Sequence, residues 1–164
     1  DDKNGDPNDG CDTSCKLSGT TPLASNSCPG LEVHVWGGSH KPTLSSTNSG
    51  AGNHSVKTTC GSATGDVPTS GAAGADRVFK VVAHKTGSMQ VVTTDTTFNN
   101  FLYVSATTCP TDQVEWLACA NKNGAIGGES MSFPVDSGKT YYVFVDGAGI
   151  SDYTGTFRVT FSIP

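Results

Sequence analysis

The sequence predicts an all-β chain: a jelly-roll-like antiparallel β-sandwich with a short, irregular, disulfide-containing N-terminal arm. Three observations predict it. From Thr156 the C-terminal stretch alternates, with Phe157, Val159, Phe161 and Ile163 on one side and Thr156, Arg158, Thr160 and Ser162 on the other. Successive strand side chains face opposite sides, so this is a half-buried strand with a wet outer face. Glycine accounts for 20 of 164 residues and charged residues for only 15%, a composition of short strands and turns rather than helices. Finally, apolar runs recur with turn residues between them, and no window of helical periodicity is long enough to defend.

At 164 residues the chain has single-domain size and can bury roughly 68–70% of its unfolded surface without staples. Residues 1–27 read as an acidic, Cys-containing arm and linker, and 28–164 as the sandwich. In the arm, DDKNGDPNDGCDTSCK alternates carboxylates and amides with Gly and Pro. After a Ser/Thr/Pro/Gly linker, Leu31, Val33 and Val35 alternate with Glu32, His34 and Trp36 as a strand. Residues 37–53 are mostly loop, with a short strand at Thr43–Ser45. A polar, edge-like strand follows at 54–60, then a polar loop to residue 75. Strands are expected at Arg77–His84, Ser88–Thr94, Asn100–Ala106, Gln113–Cys119 and Ser130–Val135. Tyr141–Val145 is apolar on both faces, which places it centrally in a sheet. Asp146-Gly147-Ala148-Gly149 reads as a turn, so this run and the final strand are expected to pair antiparallel, with Asp146 capping the turn.

The expected core contains Val33, Val35, Val78 or Phe79, Val81, Met89, Val91, Leu102, Met131, Phe133, Tyr142, Phe144, Phe157, Val159 and Phe161. Val78 and Phe79 stay open because their strand is apolar on both faces.

Six cysteines, Cys11, Cys15, Cys28, Cys60, Cys109 and Cys119, with no C-x2-C pair, point to disulfides and an oxidising compartment rather than zinc. Cys28 and Cys60 flank a long polar loop and are expected to pair. So are Cys109 and Cys119, across a turn at Pro110–Asp112, leaving Cys11 with Cys15. No signal peptide or transmembrane run is evident, so the chain reads as a mature, exported, soluble product.

The net charge of −5 is unevenly spread. Asp1, Asp2, Asp6, Asp9 and Asp12 stand against Lys3 alone in the first twelve residues, while the remainder is almost neutral. With no basic stripe, nucleic acid and anionic membranes are poor partners. Crowded carboxylates repel one another, and a divalent cation relieves that while fixing the turns. Calcium is therefore expected on some of Asp2, Asn4, Asp6, Asn8, Asp9 and Asp12. The other reading is an arm held by contacts to its own domain or to a neighbouring subunit, or simply solvated.

Several stretches carry a family resemblance. They are Ala75-Asp76-Arg77-Val78-Phe79-Lys80-Val81, the run Asp95 to Val104, Cys109-Pro110, Leu117-Ala118-Cys119-Ala120, and Gly138-Lys139-Thr140-Tyr141-Tyr142-Val143-Phe144-Val145-Asp146-Gly147. From about Cys28 to Pro164 the chain resembles a bacterial pre-peptidase C-terminal domain. Residues 4–16 resemble one end of a myxobacterial-type cysteine-rich repeat. The first resemblance implies a jelly-roll-like sandwich appended to exported proteins, acting in export, adhesion or spacing, with no active site. It also implies calcium where an N-terminal linker meets the sandwich, as in collagen-binding relatives.

No G-x-S-x-G elbow occurs, and scattered carboxylates such as Asp95, Asp112, Glu115, Glu129, Asp146 and Asp152 read as turn caps. The histidines His34, His40, His54 and His84 form no metal pair along the chain. His34 and Trp36 share the outer face of one strand, and with Trp116 are candidates for a binding surface. The expected function is a non-catalytic, non-enzymatic exported accessory or binding domain, calcium-stabilised, at the cell surface or outside it. Its partner would be an extracellular polymer or protein. The alternative is a structural subunit of a fibre or surface assembly, joined to further copies through the arm.

Overall fold

The computed structural model describes residues 28–52, 74–106, 109, 116–121, 126–147 and 154–164. The arm with Cys11 and Cys15, the expected strand at 54–60 with Cys60, and Asp112, Glu115 and Asp152 lie outside the described residues. The strands are β1 (Leu31–Val35), β2 (Thr43–Thr47), β3 (Arg77–Ala83), β4 (Gly87–Thr94), β5 (Asn100–Ser105), β6 (Ala118–Ala120), β7 (Ser130–Val135), β8 (Thr140–Gly147) and β9 (Thr156–Ser162). They form a five-stranded sheet, β1-β3-β8-β5-β6, and a four-stranded sheet, β2-β9-β4-β7. The sandwich is as expected, with one departure from an all-antiparallel pattern. β1 runs parallel to β3, Leu31 opposite Phe79 and Val35 opposite Ala83. β2, between them in sequence, belongs to the other sheet and supplies the crossover that parallel neighbours require.

The expected pairing of the last two strands does not form. β8 lies between β3 and β5 in one sheet, while β9 lies between β2 and β4 in the other. The side chains explain this. β8 is apolar on both faces and needs cover on both, which the centre of the five-stranded sheet gives it. β9 has one apolar face, which suits a sheet whose outer side is wet. Asp146 accordingly sits inside β8, opposite Phe101 of β5, and caps no turn. The expected strand at Gln113–Cys119 is also corrected: β6 covers only Ala118–Ala120, and Trp116 precedes it.

The inner faces meet as a single core. Phe157, Val159 and Phe161 of β9 and Ile163 just past it are buried, with Met89, Val91, Met131 and Phe133 beside them. Val33, Val35, Val81, Leu102 and Tyr141 come from the opposite sheet. Phe79 takes the inner position, its ring edge-on to Phe157 at 6.4 Å and tilted against Phe161 at 5.7 Å. Val78 is also buried, but outward, in a second cluster with Phe101, Tyr103 and Phe144. The phase of β8 corrects the expectation for its tyrosines. Tyr141 faces the core and its hydroxyl accepts the Asp136 N–H at 2.8 Å. Tyr142 is half-buried at the outer cluster, which also holds Phe144.

The disulfide expectation is corrected too. Cys28 is joined to Cys109, 81 residues away, with Cα atoms 5.5 Å apart, which excludes the Cys28–Cys60 and Cys109–Cys119 pairs. Cys119 is disulfide-bonded as well. The expected pairs each join cysteines that flank one stretch of chain. The fold instead lays Cys109 on the outer cluster, within reach of the residue that leads into β1. Gly30, between Cys28 and β1, has φ 84°, and a Cβ there would collide with the Val78 carbonyl. Only glycine enters this turn so close to β3 without strain.

Candidate functional site

Two places on the five-stranded sheet gather polar and aromatic side chains. The first is its β1 edge. Alternation along β1 turns Leu31, Val33 and Val35 inward, so Glu32, His34 and Trp36 line the outer face. The parallel register sets Glu32 opposite Lys80 and His34 opposite Val82. His84, just past β3, donates its backbone N–H to the Val35 carbonyl at 2.9 Å, which fixes its side chain beside Trp36.

A continuous chain of contacts results. Lys80 Nζ donates to Glu32 Oε2 at 2.7 Å, and Glu32 Oε1 lies 2.9 Å from His34 Nε2. His34 Nδ1 lies 2.7 Å from His84 Nε2. The Trp36 ring lies flat on that of His84, centroids 3.6 Å apart and planes within 10°. The Trp36 backbone N–H donates to His40 Nδ1 at 3.3 Å. The Lys80 hydrogen bond, with support from its charge and from His34, holds the Glu32 carboxyl below its usual range, and Glu32 in turn raises Lys80. An ionised carboxylate only accepts, so His34 carries its proton on Nε2. In the neutral ring Nδ1 is then an acceptor, and His84 Nε2 donates to it.

Of the three residues singled out in the sequence, the fold brings His34 and Trp36 together through His84 and leaves Trp116 elsewhere. Trp116 packs edge-on against Tyr103 at 4.4 Å and Phe144 at 5.7 Å. Glu32, Lys80, His40 and His84 were not singled out with that surface. Glu32 follows the alternation of β1, but Lys80 stands among apolar residues of β3 and His84 just past it, so they join this surface only once those strands are known to be neighbours.

The second place is buried. Asp76, Tyr103 and Asp146 are fully buried, and Tyr103 donates its hydroxyl to Asp146 Oδ2 at 3.2 Å. Burial first, then the adjoining Asp76 carboxyl, hold the Asp146 carboxyl well above the usual carboxylate range. Burial, with the neighbouring aspartates, likewise pushes the Tyr103 phenol up. A carboxyl so placed keeps its proton, because two charges side by side away from water are too costly. Its second oxygen, Asp146 Oδ1, is buried and has no partner of hydrogen-bond geometry among the described residues, though Asp76 and the Gly147 backbone lie close to the carboxyl. The pair is sealed from solvent in the structure.

Two carboxylates fall short of the six to eight oxygens that calcium takes, and no group of three His, Cys, Asp or Glu among the described residues is placed to hold a metal ion. The expected calcium ligands Asp2, Asn4, Asp6, Asn8, Asp9 and Asp12 lie outside the described residues.

The fold thus defines an all-β sandwich of two sheets. No family model matches the chain, the cysteine-rich repeat resemblance included, and no curated protein matches it. Among solved structures, it is similar to the pre-peptidase C-terminal domain of a collagenase from Bacillus anthracis. The TM-score is 0.45 at 10% identity, over 82% of this chain and 93% of that one.

Proposed function

We propose that this chain is a non-catalytic exported accessory domain that binds an extracellular polymer through the outer face of β1 and β3. One observation carries the reading: Trp36, with 59% of its surface exposed, is held flat on His84. A large aromatic ring fixed in one orientation has little freedom left to lose on binding, and its apolar face suits a sugar ring or a peptide side chain. Glu32, Lys80 and His34 set polar atoms along the same strip, where they can fix the orientation of a ligand.

Co-sedimentation with insoluble polysaccharides and with fibrillar collagen tests this. Trp36→Ala is expected to lose at least tenfold in affinity for whichever polymer the wild type binds. Equal binding by wild type and variant would refute the role of this face. Calcium stabilisation belongs to the same proposal through the acidic arm. It predicts a higher melting temperature and slower proteolysis of residues 1–16 with calcium than with a chelator. Identical behaviour in both would remove calcium from the reading. Assembly through the arm predicts a concentration-dependent rise in mass on sedimentation, and a monomer at high concentration would exclude it.

A further inference from the structure

The four histidines have no metal-binding spacing along the chain, but the β1–β3 register brings two of them into contact. His34 Nδ1 and His84 Nε2 are 2.7 Å apart. Their ring centroids are 5.0 Å apart and their planes within 27°, so the rings meet through their nitrogens rather than face to face. We propose that His34 and His84 form a two-histidine chelate for a borderline divalent transition ion, Cu²⁺, Ni²⁺ or Zn²⁺, at the edge of the five-stranded sheet.

The donor chemistry selects the ion. Imidazole nitrogen suits Cu²⁺, Ni²⁺ and Zn²⁺, whereas calcium wants many oxygens. Glu32 prepares the first ligand: by accepting the Nε2 proton of His34 at 2.9 Å, it leaves the Nδ1 lone pair aimed at His84. A carboxylate on the far nitrogen of a ligating histidine is the usual way to fix its tautomer and strengthen its basicity. Lys80 occupies the other Glu32 oxygen, so the face turned to His34 is the carboxylate and not the ammonium. In the absence of metal, the proton on His84 Nε2 bridges the two rings. An incoming ion takes that position, and the proton moves to His84 Nδ1 or to solvent. No oxidation or reduction is involved.

The geometry needs a small adjustment. Metal–nitrogen bonds of about 2.0–2.1 Å around a tetrahedral ion place its donors about 3.3 Å apart, so the rings must part by about 0.6 Å. His34 is exposed and His84 half-buried, and both can rotate toward solvent without disturbing the core. Water fills the remaining positions, which leaves the ion open to a donor from outside the chain. His40 is turned away, its Nδ1 taken by the Trp36 N–H. The site requires neither the exposed face of Trp36 nor a polymer, so it stands or falls apart from the polymer reading.

Isothermal titration calorimetry of the tag-free, chelator-stripped full chain with ZnCl₂ and NiCl₂ at pH 7.5 tests the assignment. Saturable uptake of one ion per chain at this site is expected, weakened at least tenfold by His34→Ala or His84→Ala. Glu32→Gln should weaken binding several-fold without changing stoichiometry, His40→Ala should leave it unchanged, and excess CaCl₂ should not compete. In NMR spectra of the imidazole nitrogens, Zn²⁺ should shift His34 and His84 and leave His40 in place. Glu32, His34 and His40 are exposed and His84 is half-buried, and melting with the wild type verifies that the variants fold. The proposal is overturned if the wild type takes up no transition ion. It is equally overturned if the His34→Ala/His84→Ala double variant binds as the wild type does, which would put the ion elsewhere in the chain.

Discussion

Trp36 and Trp116 stand over the same outer face of the five-stranded sheet and meet opposite fates. Trp36 leaves the end of β1 with 59% of its surface exposed, braced by His84. Trp116 is half-buried against Tyr103 and Phe144, with the Cys28–Cys109 bridge beside it. At the covered end, Tyr103 and Phe144 stack with centroids 4.8 Å apart, planes within 13°. They belong to a small core of their own. At the open end, the same face carries Glu32, His34, Lys80 and His84. The difference shows that a sheet face becomes core or surface according to whether a chain segment is tied down over it. A tryptophan by itself indicates neither.

The largest expected effect comes from removing the cover. Trp116→Ala should cost about 3 kcal/mol, at the lower end for an aromatic deleted from a packed site because Trp116 is only half-buried. Denaturant unfolding measures it. A loss below about 0.5 kcal/mol would mean that the ring covers nothing of consequence. Breaking the bridge with Cys28→Ser and Cys109→Ser should cost about 2–4 kcal/mol, the typical worth of a disulfide. It should also raise binding of a hydrophobic dye as Tyr103 and Phe144 open to water. Unchanged stability would detach the bridge from the cover.

Asp146, under the covered end, should make stability depend on pH. Its folded pKa lies above the unfolded value, so between the two the folded state holds a proton that the unfolded chain releases. Its contribution is therefore fully present below about pH 4 and is lost as pH rises through the folded pKa. Asp146→Asn, neutral at every pH, should flatten that decline and be the more stable of the two proteins at alkaline pH. Parallel stability–pH curves for the two proteins would sink the idea. The smallest effect is expected at the open end. Trp36→Ala should change stability by no more than about 0.5 kcal/mol while removing polymer binding. A large loss of stability would show that the stack on His84 supports the fold rather than a ligand.

Most strand positions were legible in the sequence because each depends on its own alternation. β7 matches its expected bounds, and the inward side chains of β9 match the expected face. β6 is shorter than expected at its start because Trp116, apolar for the sake of the outer cluster, lies before it and extends the apolar run that reads as strand. Part of the candidate surface was legible as well, since His34 and Trp36 share a face by period alone. His84 was not, for it joins them from 48 residues past Trp36 only through the parallel pairing of β1 and β3.

By itself, the sequence determined the all-β class, the inward face of each alternating strand and the concentration of acid in the arm. These follow from a two-residue period and from composition, which act over a few residues at a time. Only the tertiary structure decided that β8 and β9 part into different sheets and that Cys28 reaches Cys109. It also decided that Asp146 is buried beside Asp76, and that two histidines meet at one edge. Each of these depends on which strands become neighbours. That choice is set by the need of two-faced apolar strands such as β8 for cover on both sides, a requirement that the whole chain satisfies together and no single segment reveals.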